Sequence, residues 1–325
     1  MDGKIALEEH FAIAETLSDS KLPIFYHVWD DMEARLMEFD GKVLHRMDAC
    51  GVEIMIVSLN APAVQAISDP ADAVAVARKA NDALAEMIAK RPDRYRGFAA
   101  LPLQDPQAAC KELERCMHDL DFVGSLVNGY STAPDGSALY YDLPHYEPFW
   151  ALSEQLSAPF YLHPRNSVEA ALGNYDGHRW MLGAAWGFAQ ETSVHALRLM
   201  GSGLFDRHPA LQMILGHLGE NLPYGLWRID NCNAWRRTPG EFVHHAARPI
   251  TDYFGNNVWI TTSGNFSSQA LLAAMSIIGS DRIMFSADWP FEDLQQATDW
   301  FDAAPISDVD RFKIGQANAR KLFAV

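Results

Sequence analysis

Five residues stand at the ends of short apolar runs, where their types could do chemistry together. Glu8 and His10 close a run that begins at Lys4. His163 follows Pro-Phe-Tyr-Leu, His217 follows Met-Ile-Leu-Gly, and Asp288 follows Ile-Met-Phe-Ser-Ala. Carboxylate and imidazole are the side chains that bind Zn²⁺ or Mn²⁺. One histidine after an apolar run is ordinarily a satisfied structural residue, and a lone Glu-x-His is a weak signal. Five such residues at four run ends instead point to one rim and a metal site. The stretch His217-Leu-Gly-Glu220 adds a pair. Read as the start of a helix, its spacing of three sets Glu220 beside His217, as an acid that orients an imidazole. The plainer alternative is an acid decorating a first helical turn.

The elements that must position these residues are short and regular. Strand-length apolar runs occur at 4–7, 53–59, 95–101, 124–127, 159–162, 212–215, 258–262 and 282–285. Helical patterns lie between them. Asp69-Pro70 and Asp105-Pro106 each pair a capping residue with proline at the first helical position. Val76, Ala80, Ala83 and Met87 mark one predicted helical stripe; Ala109, Leu113, Cys116 and Leu120 mark another. Eight strands alternating with helices predict an α/β fold of the (β/α)8 TIM-barrel kind, with the site at the C-terminal strand ends. A doubly wound open sheet is the alternative; no Gly-x-Gly-x-x-Gly follows the first strand, which disfavours a dinucleotide. Strand alternation places Glu8 and His10 on one inner face with Ala6, and Ile5 and Leu7 toward the helices.

Composition sets the frame. The chain has 325 residues, 49% hydrophobic and 21% charged, which excludes a disordered or collagen-like chain. No linker or repeat divides it, so one domain over 1–325 is expected. The net charge of −16, without a basic run, disfavours nucleic acid as a partner. Four cysteines without a Cys-x-x-Cys pair read as reduced thiols of a cytoplasmic protein. The N-terminus lacks a signal-peptide pattern. The longest uncharged stretch, 254–280, is threaded with Asn, Gln, Ser and Thr, so no membrane span is expected. His45, His118, His208, His244 and His245 read as surface or loop residues, and His178 and His195 stay open. Trp180, Trp186, Trp227 and Trp235 read as core or subunit contact rather than a cofactor box.

Several motifs carry a resemblance. Ala-Leu-Glu-Glu-His-Phe-Ala-Ile at 6–13, Ser-Leu-Asn-Ala-Pro-Ala-Val-Gln-Ala-Ile at 58–67 and Phe-Tyr-Leu-His-Pro-Arg-Asn at 160–166 are three of them. Ile-Leu-Gly-His-Leu-Gly-Glu at 214–220, Thr-Thr-Ser-Gly-Asn-Phe at 261–266 and Ser-Ala-Asp-Trp-Pro-Phe-Glu at 286–292 complete the set. Over nearly the whole chain the sequence resembles the gamma-resorcylate (2,6-dihydroxybenzoate) decarboxylases of the amidohydrolase superfamily. The resemblance implies a metal-dependent barrel with Glu8, His10, His163 and Asp288 as ligands, and His217 with Glu220 beside the substrate. It also implies substrate-side roles for Asn128, Arg228 and Phe25, and a homo-oligomer, dimer or tetramer. Two-metal hydrolases of the superfamily show His-x-His on the first strand and Lys ending the fourth; Glu8-x-His10 and Val127-Asn128 imply one divalent ion per subunit, Zn²⁺ or Mn²⁺. The loop at 21–25, Asn231 and Cys232 (where His and Arg are expected) and Ser267 (where Arg is expected) depart from the pattern, on the substrate side rather than the metal side.

The expected reaction is reversible, non-oxidative decarboxylation of a hydroxybenzoate, first of all 2,6-dihydroxybenzoate. Asp288 would protonate the ring carbon and His217, oriented by Glu220, would handle the phenolic proton or the carboxylate. No organic cofactor is required, because the phenol is the electron sink. The competing expectation is a metal-dependent hydrolase of a lactone or amide, with Asp288 as the base for a metal-activated water. A third is a binding protein without catalysis, which the full ligand set argues against.

Overall fold

The computed structural model describes residues 1–21, 27–234 and 244–325. Eight strands form one sheet: β1 (Lys4–Phe11), β2 (Val52–Leu59), β3 (Tyr95–Ala99), β4 (Gly124–Asn128), β5 (Phe160–His163), β6 (Met213–Leu215), β7 (Val258–Thr261) and β8 (Ile283–Met284). Each pairs in parallel with its successor. Strand order that follows chain order, with helices between, is the expected barrel and not an open doubly wound sheet. A short antiparallel hairpin, Ser131–Thr132 with Ala138–Leu139, stands after β4.

Two apolar layers hold the barrel. Inside, Ile5, Leu7, Ile54, Ile56, Phe98, Leu126, Tyr161, Ile214, Trp259 and Met284 meet Ala319 and Phe323 of the helix Asn318–Phe323. Outside, Ala6, Met55, Val57, Leu162, Leu215 and Ile260 pack with the helices. Burying each large aliphatic chain contributes about 1.5–3 kcal/mol before conformational entropy is counted. The helix Pro70–Lys90 starts where Asp69 accepts bonds from the Ala71 (2.8 Å) and Asp72 (3.1 Å) amides. Its buried face is Ala73, Ala77, Ala80, Asn81 and Leu84; Val76, Ala83 and Met87 flank it. Small residues let this helix lie close to the sheet. The helix Pro106–His118 is capped the same way by Asp105 and buries Ala109, Leu113 and Cys116 as predicted.

Alternation along β1 departs from expectation. Ile5 and Leu7 face inward and Ala6 faces the helices, yet Glu8 and His10 still reach the inner rim. A β-bulge reconciles the two halves. Ala6 pairs with Met55 and Glu9 with Val57, so three steps on β1 match two on β2. The Leu7 and Glu8 amides both turn toward Ser286 Oγ, at 3.2 and 2.7 Å. Among the described residues, no backbone ladder joins β1 to β8. That seam is closed by Ser286, by Glu9 and by the bond from the His10 amide to the Trp289 carbonyl at 2.7 Å. No helix among the described residues is long and apolar enough to cross a membrane.

Candidate active site

Glu8, His10, His163 and Asp288 converge at the C-terminal rim. Each offers one ligand atom, and these atoms lie within 4.8 Å of one another. Neighbouring strands aim them. Tyr161 and Ser263 donate to Glu8 Oε2, and Thr261 Oγ1 donates at 3.3 Å. The other oxygen, Oε1, is left facing the cluster. Ser58 Oγ sits 3.1 Å from His10 Nδ1, which turns Nε2 inward. His10 Nε2 lies 3.2 Å from Asp288 Oδ1, and His163 Nε2 lies 3.3 Å from Glu8 Oε1. Glu8 Oε1, His10 Nε2 and Asp288 Oδ1 are nonetheless buried without a well-formed hydrogen bond. Three buried polar atoms converging without partners is what a divalent cation would satisfy, and two carboxylates with two imidazoles suit Zn²⁺ or Mn²⁺.

The electrostatics agree with that donor set. Burial pushes the Glu8 carboxyl up, while His217 and His10 pull it down. Burial would also raise Asp288, but attraction to the His10 and His217 rings that face it outweighs burial and holds this carboxyl below the usual range. Burial, reinforced by His10, keeps His163 far below the ordinary imidazole value, so the ring is neutral and free to ligate.

His217 stands beside the cluster, with Nε2 3.6 Å from Asp288 Oδ2 and 3.7 Å from Glu8 Oε1. Its Nδ1 meets the buried Glu220 Oε1 at 2.6 Å. The expected pair therefore forms, but not on a right-handed helix. Residues 217–221 all have positive φ, and Leu218 (57°, 37°) and Gly219 (83°, 28°) trace one left-handed turn. Such a turn also brings residues three apart together. Four of these five residues carry a side chain, as does Asp288 at φ +79°, so strained backbone collects at this site. Burial works against a charged His217, yet the Glu220 and Glu8 carboxylates prevail and raise its pKa well above the ordinary value. Close approach explains Gly216: a Cβ there would lie 2.6 and 2.9 Å from the two Glu8 carboxylate oxygens.

A cavity of about 110 Å³ opens on the cluster, lined by His163, Arg165, His217 and Asp288 with Phe188 and Phe291. A second, of about 240 Å³, lies along His217 and Glu220 beside Trp186 and Asn221. Asn128 pairs across the sheet with His163. Its Nδ2 donates to the Asn60 carbonyl at 2.9 Å, and its buried Oδ1 has no partner.

Other expectations are not met within one chain. Arg228 is exposed on the helix Leu222–Ala234 and lines neither cavity, because that helix turns Leu222, Pro223 and Leu226 inward. Asn231 and Cys232 lie on the same helix, and Ser267 caps the helix Ser268–Ile278. Trp180 and Trp227 are largely exposed rather than core. Phe25 and Trp235 lie outside the described residues. Sequence reasoning missed Phe188, Phe291 and Arg165 on the cavity wall, and Glu9. The Glu9 carboxylate is fully buried, with no cation paired to it among the described residues; it accepts from Ser286 Oγ (2.9 Å) and from the Ala287 (3.0 Å) and Trp289 (2.8 Å) amides. Burial nevertheless pushes this carboxyl up to about 7. A signal for it was present, since the outer face of a barrel strand is covered and an acid there needs partners.

The amidohydrolase family model matches residues 26–325. The gamma-resorcylate decarboxylase of Rhizobium sp. (strain MTP-10005) is 58% identical over 324 residues, covering 99% of this chain and 98% of that protein. That of Rhodococcus jostii (strain RHA1) is 57% identical, covering 99% of each. A crystal structure of 2,6-dihydroxybenzoate decarboxylase complexed with 2,6-dihydroxybenzoate superposes with a TM-score of 0.96 at 58% identity, over 100% of both chains. The dihydroxybenzoic acid decarboxylase of Polaromonas sp. JS666, with bound manganese and the inhibitor 2-nitroresorcinol, gives 0.96 at 55%, covering 100% of this chain and 97% of that one.

Proposed function

This chain belongs to the amidohydrolase family, among its gamma-resorcylate decarboxylases, and from that premise we propose that it converts 2,6-dihydroxybenzoate and a proton into resorcinol and CO2. The reaction is non-oxidative and reversible, and the enzyme is a carbon–carbon lyase. The observation that carries the reading is the set of unpartnered ligand atoms on Glu8, His10 and Asp288, opening on a cavity walled by Phe188 and Phe291.

Glu8, His10, His163 and Asp288 would hold one Mn²⁺ or Zn²⁺. When bound, the ion supplies a fixed positive charge for the substrate carboxylate and an ortho phenolate oxygen. The remaining work falls to this chain's own side chains. Tyr161, Thr261 and Ser263 lock Glu8, and Ser58 locks His10, so the ligands are set before substrate arrives. Phe188 and Phe291 flank the ring and exclude water. Asn128 lines neither cavity, so its unpartnered Oδ1 at the end of β4 is assigned no contact with the ring. Glu220 keeps a proton on His217 Nε2, next to Asp288 Oδ2. That proton passes through Asp288 to the ring carbon as the bond to the carboxylate breaks. The bonding pair stays on carbon, CO2 departs, and His217 is reprotonated from solvent.

A homo-oligomer is part of the proposal. It is supported by Trp227 at 74% and Tyr224 at 46% exposure beside Arg228, whose contacts would then lie with a second copy. Four free cysteines fit a reducing, cytoplasmic setting.

Turnover in D2O tests the proton route. The resorcinol formed is expected to carry one deuterium between its hydroxyls, and Asp288→Asn to form none. Full activity in Asp288→Asn would remove that residue from the route. Consumption of a lactone or amide without CO2 would replace the lyase by a hydrolase.

A further inference from the structure

Asp288 reaches the cluster from a loop whose backbone is held from one side by β1. Two bonds of the Glu9 carboxylate straddle it: Oε1 takes the Ala287 amide and Oε2 the Trp289 amide. Asp288 between them adopts φ +79°, a conformation a residue with a Cβ keeps only when its surroundings impose it. The third Glu9 partner, Ser286 Oγ, also receives the Leu7 and Glu8 amides that define the β1 bulge. That bulge is what turns Glu8 and His10 to the inside after Leu7. One hydroxyl thus joins both halves of the ligand set, at the only strand junction of the described barrel that lacks a backbone ladder. Both Glu9 and Ser286 are fully buried, and neither touches the cavity.

We propose that Glu9 and Ser286 form a clamp across the β1–β8 seam that positions Glu8, His10 and Asp288 for the metal, acting through backbone amides rather than by ligation. The inference rests on reading those residues as the metal centre. Fully buried groups that orient ligands set metal affinity, and their loss typically lowers it by about 10–100-fold. Glu9→Gln places an amide donor against backbone amides, so the loop must move. Ser286→Ala leaves the two Glu9 bonds to Ala287 and Trp289 in place but frees the bulge.

The test is Mn²⁺ affinity of the full-length protein after chelation, read by electron paramagnetic resonance of free Mn²⁺, with thermal midpoints of the metal-free forms alongside. Asn318→Ala is the control. It removes bonds from Asn318 to the Ser280 and Ile283 carbonyls at the opposite end of β8. Both clamp variants are expected to lose at least tenfold in affinity, with a broadened bound-Mn²⁺ spectrum, while Asn318→Ala stays within about twofold despite a lower midpoint. If Glu9→Gln does not fold, Ser286→Ala decides alone. Wild-type affinity in a folded clamp variant, or a loss no greater than that of the control, overturns the clamp while leaving the metal centre intact. Wild-type protein that takes up no Mn²⁺ overturns the metal centre, and the clamp with it.

Discussion

Gly216→Ala isolates one steric demand of the site. The backbone at Gly216 (φ −71°, ψ −175°) is open to any residue, so the substitution adds a methyl group and no backbone strain. That methyl would lie 2.6 Å from Glu8 Oε2, 2.9 Å from Oε1 and 3.0 Å from Ser263 Oγ. Ordinary contacts begin near 3.4 Å, so Glu8 must retreat by several tenths of an ångström. Tyr161, Thr261 and Ser263 hold it on one side, and the ligand cluster lies on the other. Overpacking of this kind costs about 1–3 kcal/mol. Because the atoms displaced belong to a ligand, the cost falls on the metal site, a loss of roughly 5- to 150-fold in affinity. The assay is Mn²⁺ titration of chelated protein, with decarboxylation measured at saturating metal. Wild-type affinity in Gly216→Ala, with the fold intact by circular dichroism, would refute the placement of Glu8.

Three further outcomes are expected. His163→Ala should purify without stoichiometric metal; full occupancy by elemental analysis would contradict its role as ligand. Glu220→Gln should keep its metal but lose roughly 10- to 100-fold in kcat, since it removes a charge-assisted bond worth about 1.5–3 kcal/mol to His217; an unchanged kcat would show that His217 needs no acid partner. His195 is buried, with Nε2 accepting from the Tyr141 amide at 3.2 Å, and burial pushes its pKa down to about 3. Above the unfolded value of about 6.5 the ring is neutral in both states; as pH falls, the unfolded chain takes up a proton that the folded chain refuses. Stability is therefore lost between about pH 6.5 and 3, by about 2 kcal/mol already at pH 5. His195→Gln should show a correspondingly smaller loss of chemical-denaturation stability between pH 7 and pH 5; an equal loss would assign the effect elsewhere.

Much of this site was legible because a parallel barrel strand is a short apolar run whose last residues do the chemistry. Glu8, His10, His163 and Asp288 stood at three such ends, and the structure brings all four residues together. The local route to them was less legible. The β1 bulge is imposed by Ser286, 278 residues beyond Glu8 in the chain, and no pattern within 4–11 announces it. The His217–Glu220 spacing was readable, but the left-handed turn is chosen by burial and by Gly219, not by helical periodicity. Arg228 could not be placed from sequence because a helix position does not say which face meets the barrel. Phe291 comes from a turn, where aromatic residues carry no period, and Phe188 from the first turn of the helix Gly187–Gly201, where one aromatic residue does not show which way it faces.

Metal-dependent decarboxylation by this protein is tested most directly by one comparison. Incubate the protein with 2,6-dihydroxybenzoate as loaded with Mn²⁺, after chelation, and after Mn²⁺ is restored, and measure resorcinol and CO2 together. Equimolar resorcinol and CO2 that vanish on chelation and return with the metal are predicted. Undiminished release from thoroughly chelated protein, or no CO2 from protein shown to hold its metal, would contradict it.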